Sequence, residues 1–392
     1  LTAASGSPSV RWLFHCEIQK ENWKISMEQR DIKSLTLEEL KGELQAHGEK
    51  AFRAGQIYNW MHGKLASGFD EMSNLSKSLR ELLKNEYEYT NLEIVEVQRS
   101  RLDGTCKYLF RLADGNVIES VLMRYHHGNS VCISSQVGCR MGCRFCASTI
   151  GGVVRSLKPS EMLDQIYRIQ KDSGERVSNV VVMGTGEPLD NYDNLLRFIR
   201  LLTDENGLNI SQRNLTVSTC GIVPRIRQLA DENLAITLAL SLHAVTQEKR
   251  AELMPIANKY PLSEVLDACA YYHQKTGRRM TFEYSLVGGV NDHPEDARRL
   301  AALAKPIHSH INLIPVNPVT ERSFVQPKKE VIGNFKKELE KYGINVTIRR
   351  EMGRDIDGAC GQLRRRYLKS GEPGEEGSDA ESLGHEGHRE MP

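Results

Sequence analysis

No run of about 18 apolar residues occurs in the chain, which excludes a membrane-spanning helix. The apolar patch Trp12-Leu13-Phe14 is short and lacks the longer apolar core and small-residue cleavage site of a secretion signal. Net charge is nearly absent: 52 Lys and Arg stand against 51 Asp and Glu, leaving +1. A paired disulfide framework is missing as well. The nine cysteines are odd in number, and Cys139, Cys143 and Cys146 fall close together. That usage points to a reducing cytoplasm and to metal binding or catalysis. What remains is ordinary for a soluble globular protein, with 40% hydrophobic and 26% charged residues over 392 positions. The length predicts two or three domains.

The near-zero charge hides an asymmetry. Residues 371–392 carry seven acids and one base, so the rest of the chain is at +7. A basic body suits an RNA partner, although a solvated surface gives the same balance. The segment 1–26 is expected to be an extension ahead of a start at Met27, and 369–392, rich in Gly, Glu and Ser, a disordered acidic tail.

Residues 27–90 read as a helical domain. Thr36 with Glu39 forms a capping-box pattern before 37–48, and 50–65 and 77–87 come next at helical spacing. Arg53, Tyr58, Trp60 and Lys64 interleave bases and aromatics, which suits either nucleic-acid stacking or an amphipathic core helix. Residues 91–128 alternate around Asp103-Gly104 and Asp114-Gly115, the signature of an antiparallel β meander that links the helical domain to the larger C-terminal part of the chain. From 129 to 368 strand and helix patterns alternate. Strands are expected at 131–136, 179–184, 215–220, 235–242, 280–287 and 311–316, with amphipathic helices between. Such alternation predicts a parallel sheet, and six units suggest an open partial (β/α)6 barrel.

Cys139, Cys143 and Cys146 lie in CxxxCxxC spacing directly after the first of these strands. Three thiolates on one short loop can ligate three irons of a cubane, leaving the fourth open to a ligand. Gly138 and Gly142 allow the loop to wrap closely. A structural zinc site would need a fourth ligand, and no Cys or His stands a few residues away.

The triplet resembles that of the radical S-adenosylmethionine (SAM) superfamily. The wider window VCISSQVGCRMGCRFCAS resembles the RlmN/Cfr family, radical enzymes that methylate adenine in ribosomal and transfer RNA. The resemblance runs from about residue 30 to 367. It implies a radical SAM barrel holding a [4Fe–4S] cluster and using two SAM per turnover. In 184–188, a Gly-containing turn after a strand, Gly186 and Glu187 match the positions that bind the methionine amine. Ser218, Ser241, Leu242, His243 and Asn317, all near predicted strand ends, match other cofactor-contacting positions. Taken singly, Ser218 also reads as a helix cap, His243 as a core histidine and Asn317 as a turn residue.

Cys360 sits among glycines with Arg364, Arg365 and Arg366 shortly after it, an environment that favours thiolate. The resemblance makes it the cysteine that is methylated, and Cys132 the one that later forms a transient disulfide with it. It makes Glu119 the proton acceptor, although spacing alone reads Glu119 as an outward strand residue. Adenine C2 is not nucleophilic, so a radical route is needed. The family route has a methylated Cys360 lose hydrogen to a 5′-deoxyadenosyl radical and add to the ring. The implied partners are 23S rRNA and tRNA, with an anticodon-adjacent adenine as the tRNA target, and an electron donor such as flavodoxin or ferredoxin. The expected protein is a cytoplasmic monomer with no membrane contact. A C8-directed relative uses the same cysteines, and a non-catalytic iron–sulfur or zinc RNA-binding protein and a glycyl-radical activase remain as other readings.

Overall fold

The computed structural model describes residues 29–316 and 324–370. Residues 1–28, 371–392 and Asn317 therefore lie outside the described residues. Among the described residues no helix is long and apolar enough to cross a membrane. The chain divides into two units, residues 29–91 with 200–209, and residues 92–199 with the remainder.

In the smaller unit the Thr36 hydroxyl accepts the Glu39 N–H while the Glu39 carboxylate accepts the Thr36 N–H, so the predicted box starts the helix Leu37–Ala46. The segment 50–65 is not one regular helix. Phe52–Tyr58 is α-helical, and the turn widens to a π-helix over Asn59–Gly63. Tyr58 and His62 are fully buried there, with ring centroids 4.4 Å apart. The aromatic–basic interleaving thus resolves into two roles. Tyr58 is core, while the Lys64 ammonium lies 3.8 Å from the centroid of the half-buried Trp60 ring.

The larger unit is built on one sheet whose ten strands lie side by side in chain order. β1 (Glu93–Arg99), β2 (Cys106–Arg111), β3 (Val117–Tyr125) and β4 (Gly128–Cys132) are antiparallel neighbours. β5 (Val177–Val182), β6 (Leu215–Thr219), β7 (Thr237–Ser241), β8 (Thr281–Leu286), β9 (His310–Pro315) and β10 (Val346–Ile348) continue it in parallel from β4. The meander is therefore not a separate linker. Its last strands are hydrogen-bonded into the sheet, Val121 opposite Cys132 and Cys132 opposite Val181.

Parallel neighbours need long crossovers, and helices such as Pro159–Ser173, Leu262–Thr276 and Lys329–Lys341 supply them. On β8 the apolar Phe282, Tyr284 and Leu286 are fully buried, with Tyr284 stacked on Phe335 of the last of these helices. The alternate residues Thr281, Glu283 and Ser285 line the other face of the strand. This open α/β sheet, edged by β1 and β10, is the partial barrel expected from the sequence, with β10 as a seventh parallel strand. The C-terminal helix runs over Gln362–Ser370, so residues 369 and 370 belong to it and not to a disordered tail.

Candidate active site

The strand expected at 131–136 ends early. β4 stops at Cys132, and Gln136–Gly138 pairs instead with Val153–Ser156 in a separate two-stranded ribbon. Between them, buried Ser134 holds the turn. Its hydroxyl donates to the Glu119 carbonyl at 2.7 Å and accepts the Thr185 N–H. The ribbon launches the cysteine loop. Gly138 has φ +79°, and a Cβ there would lie 2.1 Å from the Gly152 carbonyl oxygen, so only glycine fits. The Cys139 N–H donates to that same oxygen at 2.9 Å. Thr149 ties the far end, its hydroxyl donating to the carbonyls of Cys143 and Cys146.

Cys139 and Cys143 are buried in one apolar group with Met141, Cys220, Leu253 and Met254, and Cys146 packs against it. Burial pushes the Cys139 thiol up to about 12 and raises Cys143 and Cys146 as well. Among the described residues no three His, Cys, Asp or Glu side chains are arranged to share one ion. A cubane makes a different demand, one soft sulfur ligand on each of three irons. The loop offers three sulfurs and an apolar surround, and this donor set fits such a cluster.

The 184–188 turn is clasped to the segment leaving β4. The N–H groups of Ser135 and Gln136 both donate to the Thr185 carbonyl. Gly186, at φ +114°, lies so close that a Cβ would be 2.7 Å from the Gln136 nitrogen. Glu187 is buried, and burial raises its pKa. Its two carboxylate oxygens accept the N–H groups of Leu189, at 3.1 Å, and Cys220, at 2.8 Å. The side chains of Thr219 and Cys220 hydrogen-bond to the same carboxylate. Ser218 and Ser241 face each other across β6 and β7 with hydroxyls 3.3 Å apart, so Ser218 is not a helix cap. Leu242 is fully buried and donates its N–H to the Glu283 carbonyl. His243, with left-handed φ, accepts the Ser285 N–H at Nδ1, which leaves Nε2 to carry the proton. Burial holds its pKa down to about 3, and its ring meets Phe145 of the cysteine loop edge-on.

Glu119, Cys132, Cys146 and Cys360 line one cavity of about 640 Å³. Glu119 is not an outward strand residue: it is buried, and its carboxylate meets the Lys107 ammonium at 3.0 Å. It also accepts the N–H groups of Gly361 and Arg364, at the start of the C-terminal helix. A carboxylate is favoured at a helix N-terminus, where unpaired N–H groups point outward. Glu119 thereby anchors the loop that carries Cys360. The Cys360 sulfur lies 3.4 Å from the Ser148 hydroxyl of the cysteine loop.

The arginines do not make Cys360 a thiolate. The Arg364 Nε donates to the Val117 carbonyl, and Arg366 pairs with Glu96 and Asp357. Although residue 360 is exposed at the cavity, the enclosing walls, followed by the nearby Glu119 charge, raise its thiol pKa. Cys132 is raised by burial too. The cavity is also lined by Arg349, Arg350 and Arg354, the last paired with Glu351. Sequence reasoning missed Lys107, Ser148 and these arginines. Lys107 shares its face of β2 with Leu109 and Arg111, a pattern that carries no sign of an internal cation.

Fold and cysteine loop together define a radical SAM protein, and the Radical SAM superfamily profile matches residues 133–301. A protein of this class uses S-adenosylmethionine and a [4Fe–4S] cluster. A second profile, for the ribosomal RNA large subunit methyltransferase N-terminal domain, matches residues 30–88. The chain is 68% identical over 339 residues to a protein of Lachnospira eligens named probable dual-specificity RNA methyltransferase RlmN, covering 86% of this chain and 97% of that one. A protein of the same name from Clostridium novyi is 54% identical, over 87% of this chain and 99% of its own length. The crystal structure of a radical SAM methyltransferase from Sphaerobacter thermophilus superposes with a TM-score of 0.82 at 42% identity, over 85% of this chain and 98% of that one. The chain belongs to the RlmN family of radical SAM RNA methyltransferases.

Proposed function

We propose that this protein methylates C2 of adenine in 23S rRNA and in tRNA; its relatives are named dual-specificity RNA methyltransferases. The observation that carries the chemistry is the convergence of Glu119, Cys132 and Cys146 on one cavity with Cys360, which lies far from them in the chain. Cys139, Cys143 and Cys146 would hold the cluster. Gly186, Glu187, Ser218, Ser241, Leu242 and His243, with Asn317 from outside the described residues, would hold SAM. When bound, the two supply a methyl group and a one-electron route to hydrogen abstraction. A covalent path needs a carrier, a resolving thiol and a base. Cys360 carries the methyl carbon on its sulfur, oriented by the Ser148 hydroxyl. Once that carbon is bonded to the ring, Cys132, on the same cavity wall, attacks the Cys360 sulfur; the S–S bond forms as the S–C bond breaks, and the freed CH2 takes the Cys132 proton to become the methyl group. Glu119 takes the ring proton.

The adenine must leave its stack to enter the cavity. Arg349, Arg350 and Arg354, which line it, would meet the flanking phosphates. Two SAM per turnover and a flavodoxin-type or ferredoxin-type donor complete the reading, with the chain working as a monomer in the cytoplasm. Residues 27–90 serve as the RNA-binding accessory domain. Mass spectrometry of the Cys360 peptide from purified protein tests the route. A methyl group on Cys360 is expected, and its persistent absence after incubation with cluster and SAM would contradict it.

A further inference from the structure

Arg250 lies on the helix Gln247–Leu253 and is fully buried. Its Nη2 donates to the Cys220 carbonyl at 2.6 Å, while Nε and Nη1 have no hydrogen-bond partner. Cys220, Cys143 and Cys269 stand close enough that negative charge on any of them would favour the charged guanidinium. The space for the guanidinium is built in: a Cβ on Gly221 would lie 3.2 Å from Nη2. The same helix is docked on the cysteine loop. The Leu253 carbonyl accepts the Arg144 N–H at 2.9 Å, and Leu253 and Met254 pack with Cys139 and Cys143.

A guanidinium keeps its charge in any protein environment, and a buried charge without a counter-charge is strongly destabilising. The neighbours here are sulfurs rather than carboxylates. A cubane ligated by three thiolates carries net negative charge, and one-electron reduction adds one more unit. A fixed cation in a low-dielectric surround favours the more negative state.

We propose that Arg250 is the counter-cation of the cluster, its Nε and Nη1 donating to cluster sulfur and making reduction easier. The inference rests on the cluster reading above.

The test is a redox titration, monitored by electron paramagnetic resonance, of the anaerobically reconstituted full chain. Arg250→Met should bind iron as the parent does but have a midpoint potential shifted to more negative values, with Arg250→Lys in between. On the parent protein labelled with 15N in its arginine guanidinium groups, pulsed spectroscopy of the reduced cluster should show a nitrogen coupling that Arg250→Lys loses. That arm does not depend on Arg250→Met folding. An unchanged midpoint in Arg250→Met at full iron content would overturn the proposal. So would the lack of any arginine nitrogen coupling in the parent. An unchanged midpoint with weakened SAM binding would overturn it by assigning the cation to the cofactor's carboxylate. If the parent itself assembles no cluster, the reading of the three cysteines falls first, and that failure is separate from an unchanged midpoint.

Discussion

The Lys107 ammonium and the Glu119 carboxylate meet at 3.0 Å with both side chains closed off from solvent. The carboxylate also receives the first N–H groups of the helix after Cys360, and the Lys107 ammonium donates to the Ala359 carbonyl. One buried pair therefore fixes the position of the loop that bears Cys360. Removing one partner of such a pair typically costs about 3–5 kcal/mol. Lys107→Met is expected to lower stability by that order in denaturant unfolding. It should also speed hydrogen exchange at the Gly361 and Arg364 amides more than across β6–β8. Unchanged exchange there would show that the pair does not anchor the loop.

The two cavity thiols should fail in different ways. Cys360→Ala is expected to abolish methyl transfer while leaving iron content unchanged, because the carrier sulfur is gone. Cys132→Ala is expected to stop later, with protein covalently joined to RNA. Denaturing gel analysis with labelled RNA separates the two. Turnover by Cys360→Ala would rule out the carrier role.

The triplet predicts a third pattern. Cys143→Ala should lose most bound iron and all methyl transfer. Its far-ultraviolet circular dichroism should stay near that of the parent, because the loop lies outside the ten-stranded sheet. Iron analysis after anaerobic reconstitution checks this.

The helical unit carries a pH dependence of its own. His62 is fully buried, and burial holds its pKa at about 3, against 6.5 when unperturbed. The unfolded chain therefore binds more protons between those values. The contribution is fully present above pH 6.5 and is lost as pH falls toward about 3. Hydrogen exchange over Phe52–Gly63 should accelerate as pH falls through that window, after correction for the intrinsic rate. In His62→Leu this extra acceleration should disappear.

Much of this architecture was legible because local signals agreed with the final packing. The Thr36–Glu39 box, the Asp-Gly turns and the alternating strand and helix patterns each rest on short-range chemistry, and the strands came out in chain order. The strand expected at 131–136 was too long because the sequence does not show that the Ser134 side chain would take up backbone partners. Tyr58 looked available to a base because periodicity cannot show a π-helical widening that turns His62 and Tyr58 inward. At the site, the cysteine spacing is visible in the chain, but the charge partners are not. Lys107 and Arg250 are buried cations in segments that read as surface, and their role appears only once Glu119 and the thiols are beside them. The arginines after Cys360 mislead for the converse reason, since Arg364 and Arg366 are taken up by Val117, Glu96 and Asp357.

The carbon held on Cys360 is expected to end on adenine C2, and every assignment at the cavity depends on that transfer. Nucleoside mass spectrometry of 23S rRNA and tRNA, treated with the reconstituted protein, SAM and a low-potential reductant, decides it. The expected product is 2-methyladenosine in both RNAs, absent with Cys360→Ala. Unmodified adenosine, or 8-methyladenosine in place of the C2 product, would contradict the assignment.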